Sequence, residues 1–352
     1  MALPHLPALN DRYHRDLARV TVLRWFGIRA DASRNTWNPR DSAPFLVVIL
    51  SPLLLAVLHQ VFGHPTTQGR GAHFFWLGYY VGMDLLNVFS QWAGCRGFHR
   101  ALPSVDIMLT PRGARQVHAW IDRGFRPWRQ EKWMLVGSAI SCGSLFALST
   151  IHQVTRHMYV DTSSYLTVVM SGAMGANSLF WLLRASRLAR IITKPEHVHL
   201  VWSAPARTPG IEALSRWHRF VTLVCVFGCA VAFAPWVWLA PYVAHDGAYL
   251  VTKWIVATLA LVALVLFGLY SQWRLSQAVL DRRTAVLHVL ARRLPKEPPA
   301  TGVLTDGEAQ LVDLYDKVAG SPSGVIDGQT VATTLLTVAA VLVPLAVAVL
   351  VR

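Results

Sequence analysis

Charged residues are scarce in this 352-residue chain, and their scarcity limits the class of protein it can be. They make up 15% of the sequence, whereas hydrophobic residues make up 53%. Soluble globular domains carry about 25% charged residues, so this composition argues against an ordinary soluble protein. The 14 tryptophans agree with that conclusion, because tryptophan is enriched where membrane helices meet water.

Acidic residues are fewer still, with 19 Asp and Glu against 33 Lys and Arg, which leaves a formal net charge of +14. A nucleic-acid-binding protein would cluster such an excess on one soluble face or motif. Here the basic residues lie between long apolar runs. The sequence therefore predicts no nucleic-acid partner.

Signals for enzymes, metal sites and secretion are also missing. The four cysteines do not follow the spacing of a disulfide framework or a zinc site, and we interpret them as small apolar residues. His197 and His199 flank one valine, and polar loop residues are a better interpretation of the pair than metal ligands. HExxH, GxSxG, Gly-rich phosphate-loop and GxGxxG motifs are absent, as is a signal peptide. We predict no enzyme activity and no cofactor.

What the chain has in abundance is long apolar segments. Seven are long enough to cross a hydrocarbon core of about 30 Å, which requires about 20 helical residues. The apolar runs are continuous, which favours helices over the alternating strands of a barrel. The sequence predicts an all-α polytopic membrane protein with a bundle of seven transmembrane helices. The predicted spans are 44–63, 73–92, 133–153, 165–184, 220–241, 250–272 and 330–351.

The basic residues predict the orientation, because cytoplasmic loops carry an excess of Lys and Arg. Of the 33, four fall on the other side of the predicted bundle: Arg70, Arg156, Lys253 and Arg352. We therefore predict a multipass plasma-membrane protein with a cytoplasmic N-terminus and an external C-terminus. Its basic inner face is expected to attract anionic lipid.

The predicted spans divide the chain into four parts. Residues 1–43 form a cytoplasmic amphipathic arm, which either lies on the membrane surface or packs on other cytoplasmic parts. Residues 44–272 form a six-helix transmembrane core, and residues 273–329 form a cytoplasmic helical extension and linker. Residues 330–351 are the seventh transmembrane helix.

End signals predict several helices on the cytoplasmic side. A short helix begins at Pro111 and ends at Gly124, and the helix of span 4 continues to near Pro195. Thr305 and Glu308 form a capping-box pattern at the start of a helix over 305–319.

The helix of span 6 is predicted to run on towards Pro295 with an apolar stripe on one side. Heptad spacing places three leucines on that side, with further apolar residues between them. Such a stripe predicts a cytoplasmic bundle with helix 305–319 and the extension of span 4. The stripe comprises Val279, Leu280, Val286, Leu287, Leu290 and Leu294.

A polar stripe runs down span 2. On a 3.6-residue period Tyr80, Asp84, Asn87 and Gln91 share one face. Ionisable residues within membrane spans face a bundle interior or a water-filled cavity. Two interpretations stay open, a solute pathway and a structural network in which Asp84 is bonded to Ser and Thr of spans 3 and 4.

Small residues in spans 3 and 4 predict close helix packing. Gly137 and Ser141 are four apart in span 3, as are Ser171 and Gly175 in span 4, where Gly172 lies beside Ser171.

The segment LARIITKPEHVHLVWSAPARTPGIEAL, after span 4, resembles a pattern in uncharacterised bacterial multipass membrane proteins. In those proteins a basic helix end is followed by Pro-Asp-x-x-Gly-Gly-Leu. Pro205, Gly210 and Ile211 fit that pattern, while Ala206 and Pro209 depart from it. The resemblance covers less than a tenth of the chain and implies no activity.

The predicted layout resembles the insect chemoreceptor-type channel superfamily. The shared features are seven helices, an internal N-terminus, an external C-terminus directly after span 7, and spans 4 and 6 extended into the cytoplasm. In that superfamily span 7 lines the pore of a tetramer, and the resemblance carries over the layout only. A homo-oligomer is one possible partner arrangement for this chain.

These observations favour an integral membrane protein that acts as a conduit, either an oligomeric channel or a transporter. The alternative is a non-conducting membrane sensor or scaffold whose cytoplasmic bundle binds a partner. A lipid-modifying enzyme is a third hypothesis, for which Asp106, Asp122 and His118 are the available side chains.

Overall fold

The computed structural model describes residues 70–124, 126–149, 162–243, 269–294 and 304–322, together with single residues between 47 and 58 and at 258 and 262. Within these residues the protein is helical, and one isolated antiparallel bridge joins Leu109 to Val198. The predicted all-α class is therefore confirmed for this part of the chain. Its helices are α1 (Arg70–Met108), α2 (Pro111–Gly124), α3 (Pro127–Ser149), α4 (Thr162–Ile192), α5 (Pro209–Val243), α6 (Tyr270–Ala291) and α7 (Asp306–Ala319).

One described helix, α4, meets the criteria for crossing a membrane. Its segment Ser163–Ile192 is 30 residues long and contains an 18-residue window with a mean hydropathy of 1.5. Helix α1 is longer, at 39 residues or about 58 Å, but its polar stripe lowers its hydropathy. Predicted spans 73–92, 133–153 and 220–241 lie largely on α1, α3 and α5, which do not meet these criteria. Predicted spans 44–63, 250–272 and 330–351 lie almost entirely outside the described residues, so the seven-span bundle stays a prediction.

The local end signals are confirmed. Helix α2 begins at Pro111 and ends at Gly124, as predicted, and α4 ends at Ile192, just before Pro195. Thr305 caps α7 through a complete capping box, in which Glu308 Oε2 accepts a hydrogen bond from Thr305 N at 2.9 Å.

The C-terminal ends of α1 and α4 pack with parts of α2, α5 and α6 around one apolar core. Helix α2 contributes the face carrying Val117, Trp120 and Ile121, and two 3₁₀ turns after α4 lead the chain to α5. We call the cluster of buried apolar side chains at this place the apolar core. Its buried members are Phe98, Leu102, Val105, Met108, Leu109, Val117, Trp120, Ile121, Ala185, Leu188, Ile192, Val198, Ile211, Leu214, Trp217, Leu275 and Val279.

The stripe predicted on α6 is partly wrong, because not all of its residues are buried. Val279 is fully buried and Leu290 nearly so, but Leu280 is 38% exposed. The buried face of α6 begins instead at Ser271 and continues through Gln272 and Leu275, because α4 and α5 flank that part of the helix. The predicted contact of α6 with α7 is confirmed, since Arg283 Nε donates to the carbonyl of Val318 at 3.2 Å.

Small residues bring α3 and α4 together, as predicted. A Cβ added to Gly137 would lie 2.3 Å from the carbonyl oxygen of Gly172, and one added to Gly172 would lie 2.3 Å from Ser141 Oγ. Gly175, in contrast, meets nothing within 4 Å. Gly172 therefore makes the close contact within the pattern, because it is the glycine on the α3 side of α4.

Helix α4 packs against one antiparallel and one parallel neighbour. Helix α3 is antiparallel to α4, since Trp133 lies against Phe180 while Ser138 bonds to the carbonyl of Val169. Helices α1 and α4 are parallel, and the segments that follow them meet where Thr110 Oγ1 donates to the carbonyl of Glu196 at 2.7 Å.

Candidate functional site

The polar stripe of α1 faces α4. Asp84 is 2% exposed and Gln91 is 8% exposed, while Tyr80 and Asn87 are partly buried. On the opposite side of α1, Phe89 is 59% exposed. The stripe therefore points into the protein, as expected from its periodicity, whereas a functional role for it stays a prediction.

Four side chains form a chain of hydrogen bonds across this contact, and we call it the polar interface. Asn177 Nδ2 donates to Gln91 Oε1 at 3.0 Å, and Gln91 Nε2 donates to Ser178 Oγ at 3.2 Å. Ser178 Oγ in turn donates to Asn87 Oδ1 at 3.0 Å. Each of the two α1 residues thus finds a partner on α4, which buried polar groups require.

Asp84 lies one turn from this network towards the N-terminus of α1. Ser171 of α4 faces the Asp84 carboxyl group within reach of a hydrogen bond. Nevertheless Asp84 Oδ1 and Ser171 Oγ complete no hydrogen bond among the described residues. The oxygen of Asn177 is a third buried atom without such a partner. A buried polar atom in this state costs about 1–3 kcal/mol unless water or a solute satisfies it.

The partners on α4 were not singled out from sequence. Asn177 and Ser178 belong to the SGAMGANS segment, whose small residues indicated packing only. An uncharged polar residue inside a predicted span was the available signal. Their pairing with α1 depends on the relative rotation of two helices that are almost 90 residues apart in sequence.

A second group of contacts fixes the C-terminal part of α4. Trp120 Nε1 donates to the carbonyl of Arg184 at 2.9 Å, and Arg184 Nη2 donates to the carbonyl of Trp120. The guanidinium also lies over the Trp120 ring, 5.2 Å from its centroid. Gly124 leaves room for this side chain, because a Cβ there would lie 2.8 Å from Arg184 Nη2.

His197 and His199 do not form a joint site. His197 is buried with Nδ1 2.6 Å from the carbonyl oxygen of Ile191, whereas His199 is exposed. The carbonyl of His197 packs on Gly113, where a Cβ would lie only 2.1 Å away. The pair therefore belongs to the packing contact between α2 and the turn after α4.

The residues considered for a lipid-modifying enzyme do not assemble a recognisable centre. Burial raises the pKa of Asp106 to about 6, and its Oδ1 has no hydrogen-bond partner in the described part of the chain. Across the described ranges, no group of three or more His, Cys, Asp or Glu residues is placed to hold a metal ion.

Comparison with known proteins found no matching family model, no matching curated protein and no matching solved structure.

Proposed function

We propose that this chain is a multipass helical membrane protein of seven spans that acts as a conduit for a solute, as an oligomeric channel or a transporter. Membrane residence is supported by α4 and by the apolar surface of its neighbour α3. Leu135 and Ile140 are each 65% exposed, as is Phe146. Soluble monomers rarely leave such apolar surface in contact with water, whereas a lipid environment favours it.

The proposed orientation, with the N-terminus inside and the C-terminus outside the plasma membrane, is supported by the directions of the helices. Parallel α1 and α4 would each enter from outside, and the basic segments that follow them meet at one end of the bundle. A reporter fused after Arg352 should be active outside the cytoplasm, and one inserted at Lys296 should be active inside. A cytoplasmic C-terminus would contradict the seven-span arrangement.

The conduit proposal rests on the polar atoms between α1 and α4. Asp84 Oδ1, Ser171 Oγ and Asn177 Oδ1 are buried without partners among the described residues. A purely structural network would leave fewer such atoms unsatisfied, because each one costs free energy. Water or a passing solute would satisfy them, and an acidic side chain at this depth suits a proton or another cation.

The test is flux through the full-length protein in vesicles, with proton and K⁺ fluxes as the first measurements. We expect Asp84→Asn to fold normally and to abolish the flux or shift its pH dependence, because asparagine cannot ionise. Gly82→Ala is the matched control, since it lies on the exposed side of the same helix and its added Cβ meets nothing. Unchanged flux in Asp84→Asn would assign the stripe a structural role.

A homo-oligomer is part of the proposal, because the layout resembles that of tetrameric channels whose span 7 lines the pore. Span 7, at 330–351, lies outside the described residues. Mass measurement of the detergent-solubilised protein tests this part, and a monomer would favour a transporter over a channel.

The second candidate is a non-conducting sensor or scaffold. It is favoured by α6, which lies in a segment predicted to be cytoplasmic. On this helix Leu280 is 38% exposed and Val289 is 54% exposed. Apolar side chains in this position can bind a helical partner. A stably co-purifying protein together with an absence of flux would support this candidate over the conduit.

A further inference from the structure

A basic pocket of about 930 Å³ opens between the start of α3, the end of α4 and the start of α6. Its size is within the range of pockets that hold small ligands. Among the described residues that line it, all the charged ones are basic. They are Arg129, Lys132, Arg184, Arg187, Arg190 and Lys194.

Two of these cations already have partners within the protein. Arg184 is bound to Trp120, as described above, and Arg190 Nε donates to the hydroxyl of Tyr270 at 3.1 Å. Both therefore hold defined positions in the wall of the pocket.

The other four cations are available to a ligand. They are exposed, and none forms a side-chain hydrogen bond or ion pair with another described residue. Arg129 and Arg187 are close enough to Arg184 to repel its charge. A cluster of like charges without a counter-ion is unfavourable, and an anion bound among these side chains would remove the repulsion.

Apolar and aromatic side chains also line the pocket, and we call them its apolar wall. Trp133 is 36% exposed and Leu183 is 38% exposed, whereas Phe180 is buried. In the proposed topology, this wall lies at the cytoplasmic surface of the bilayer, where α3 begins to cross the membrane and α4 finishes crossing it. A soluble anion would make no favourable contact with these apolar side chains, whereas the glycerol and upper acyl carbons of a lipid would pack on them.

We propose that this pocket binds the phosphate headgroup of an anionic phospholipid, an inference that rests on the proposed membrane residence. Arginine pairs with phosphate oxygens through two parallel hydrogen bonds, and lysine adds a point charge. The bound lipid bridges α3 and α4 and stabilises their packing near α6. A defined lipid site is thus more specific than the general attraction of a basic surface to anionic lipid.

The experiment measures binding of short-chain phosphatidylglycerol to the full-length protein in a neutral detergent, by native mass spectrometry and by thermal shift. We expect phosphatidylglycerol to bind at least about tenfold more tightly than phosphatidylcholine with the same chains, because only its headgroup carries a net charge. The variant Arg187→Gln/Lys194→Gln should bind phosphatidylglycerol about 30-fold more weakly, since each cation near a lipid phosphate contributes comparably.

The matched control is Arg282→Gln/Arg292→Gln, which removes the same charge from exposed positions on or directly after α6, outside the pocket. It should leave binding within about twofold of the wild type, because distant exposed charges are screened. An equal loss in this control would overturn the proposal, since binding would then reflect diffuse charge. If Arg187→Gln/Lys194→Gln is recovered in poor yield, Arg129→Gln/Lys132→Gln tests the same pocket from α3.

Glycerol 3-phosphate and inorganic phosphate identify the source of the phosphate group. Either one binding as tightly as phosphatidylglycerol would show a soluble anion site and overturn the lipid proposal. Cell fractionation separates this failure from failure of the proposed function. A chain found in the soluble fraction would contradict both, whereas a membrane-bound chain that does not prefer phosphatidylglycerol would contradict the lipid site alone.

Discussion

The polar interface and the apolar core are held together by different interactions, although α1 and α4 take part in both. In the polar interface, Gln91 and Asn177 are joined by hydrogen bonds, and the apolar cluster beside them is small. Towards the other end of the same helices, Val105 of α1 and Leu188 of α4 are fully buried among large apolar side chains from five helices and the segments between them.

The proposed topology accounts for this difference, because it places the two regions in different solvents. In lipid, burying an apolar side chain gains little, so helices associate through small residues and polar contacts. In water, burying apolar surface is the main stabilising contribution. The polar interface therefore has the character expected within a bilayer, and the apolar core has the character expected beside it, in agreement with the proposed topology.

The largest effect should come from placing a charge in the apolar core. Val279 is fully buried and its neighbour Leu280 is 38% exposed. We expect Val279→Asp to cost about 3–5 kcal/mol, because its carboxylate would be buried without a partner. Leu280→Asp should change the free energy of unfolding by less than about 0.5 kcal/mol. Thermal unfolding in detergent measures both, and similar losses would mean that the two sides of α6 are equally buried.

Next in size is the contact between α3 and α4. Gly172→Ala should destabilise by about 1–3 kcal/mol, since the new methyl group would overlap Ser141 and the backbone of Gly137. Gly175→Ala is the control on the same helix and should stabilise by roughly 0.5–1 kcal/mol, because alanine favours helices. If Gly172→Ala unfolds at the wild-type temperature, the helices are further apart than described.

The polar interface can be tested by removing one member. Gln91→Leu leaves Asn177 and Ser178 without their partner, which should cost about 1–3 kcal/mol. The same substitution at the exposed Gln116 of α2 should have almost no effect. A stability gain in Gln91→Leu would show that the network does not hold α1 and α4 together.

The smallest effect concerns pH. Burial raises the pKa of Asp106 from 3.8 to about 6, so the folded protein binds this proton more tightly than the unfolded chain. Stability due to Asp106 should therefore fall as the pH rises from about 4 to about 6. Because Asp106 is half-buried, solvent screening reduces the size of this effect.

Asp106→Asn isolates this contribution as the difference between two melting curves over pH. The difference is needed because burial lowers the pKa of His218 to about 3, which makes stability rise with pH over an overlapping range. Asp106→Asn should gain stability relative to the wild type as the pH rises from 4 to 6. A constant difference over that interval would contradict the altered pKa of Asp106.

Much of the local structure could be predicted from sequence because its signals are local. Pro111, Gly124 and the pair Thr305 and Glu308 act on backbone groups within one turn, so the ends of α2 and α7 agree with prediction. The inward side of α1 was predictable because Asp84, Asn87 and Gln91 repeat with the helical period.

What could not be predicted depends on neighbours. The stripe predicted on α6 included Leu280, which is exposed. Heptad spacing alone does not indicate which residues α4 and α5 will cover. Gly172 and Gly175 were equally good candidates for close packing until the position of α3 distinguished them.

The sequence by itself predicted that the chain is helical, where several helices begin and end, and that basic residues lie between its apolar segments. Each of these properties depends on residues near each other in the chain or on a simple count. Only the tertiary structure paired Gln91 with Asn177 and brought six cations from two separate stretches of chain, 129–132 and 184–194, around one pocket. Such groupings depend on the relative rotation and depth of packed helices, which no spacing within a single helix specifies.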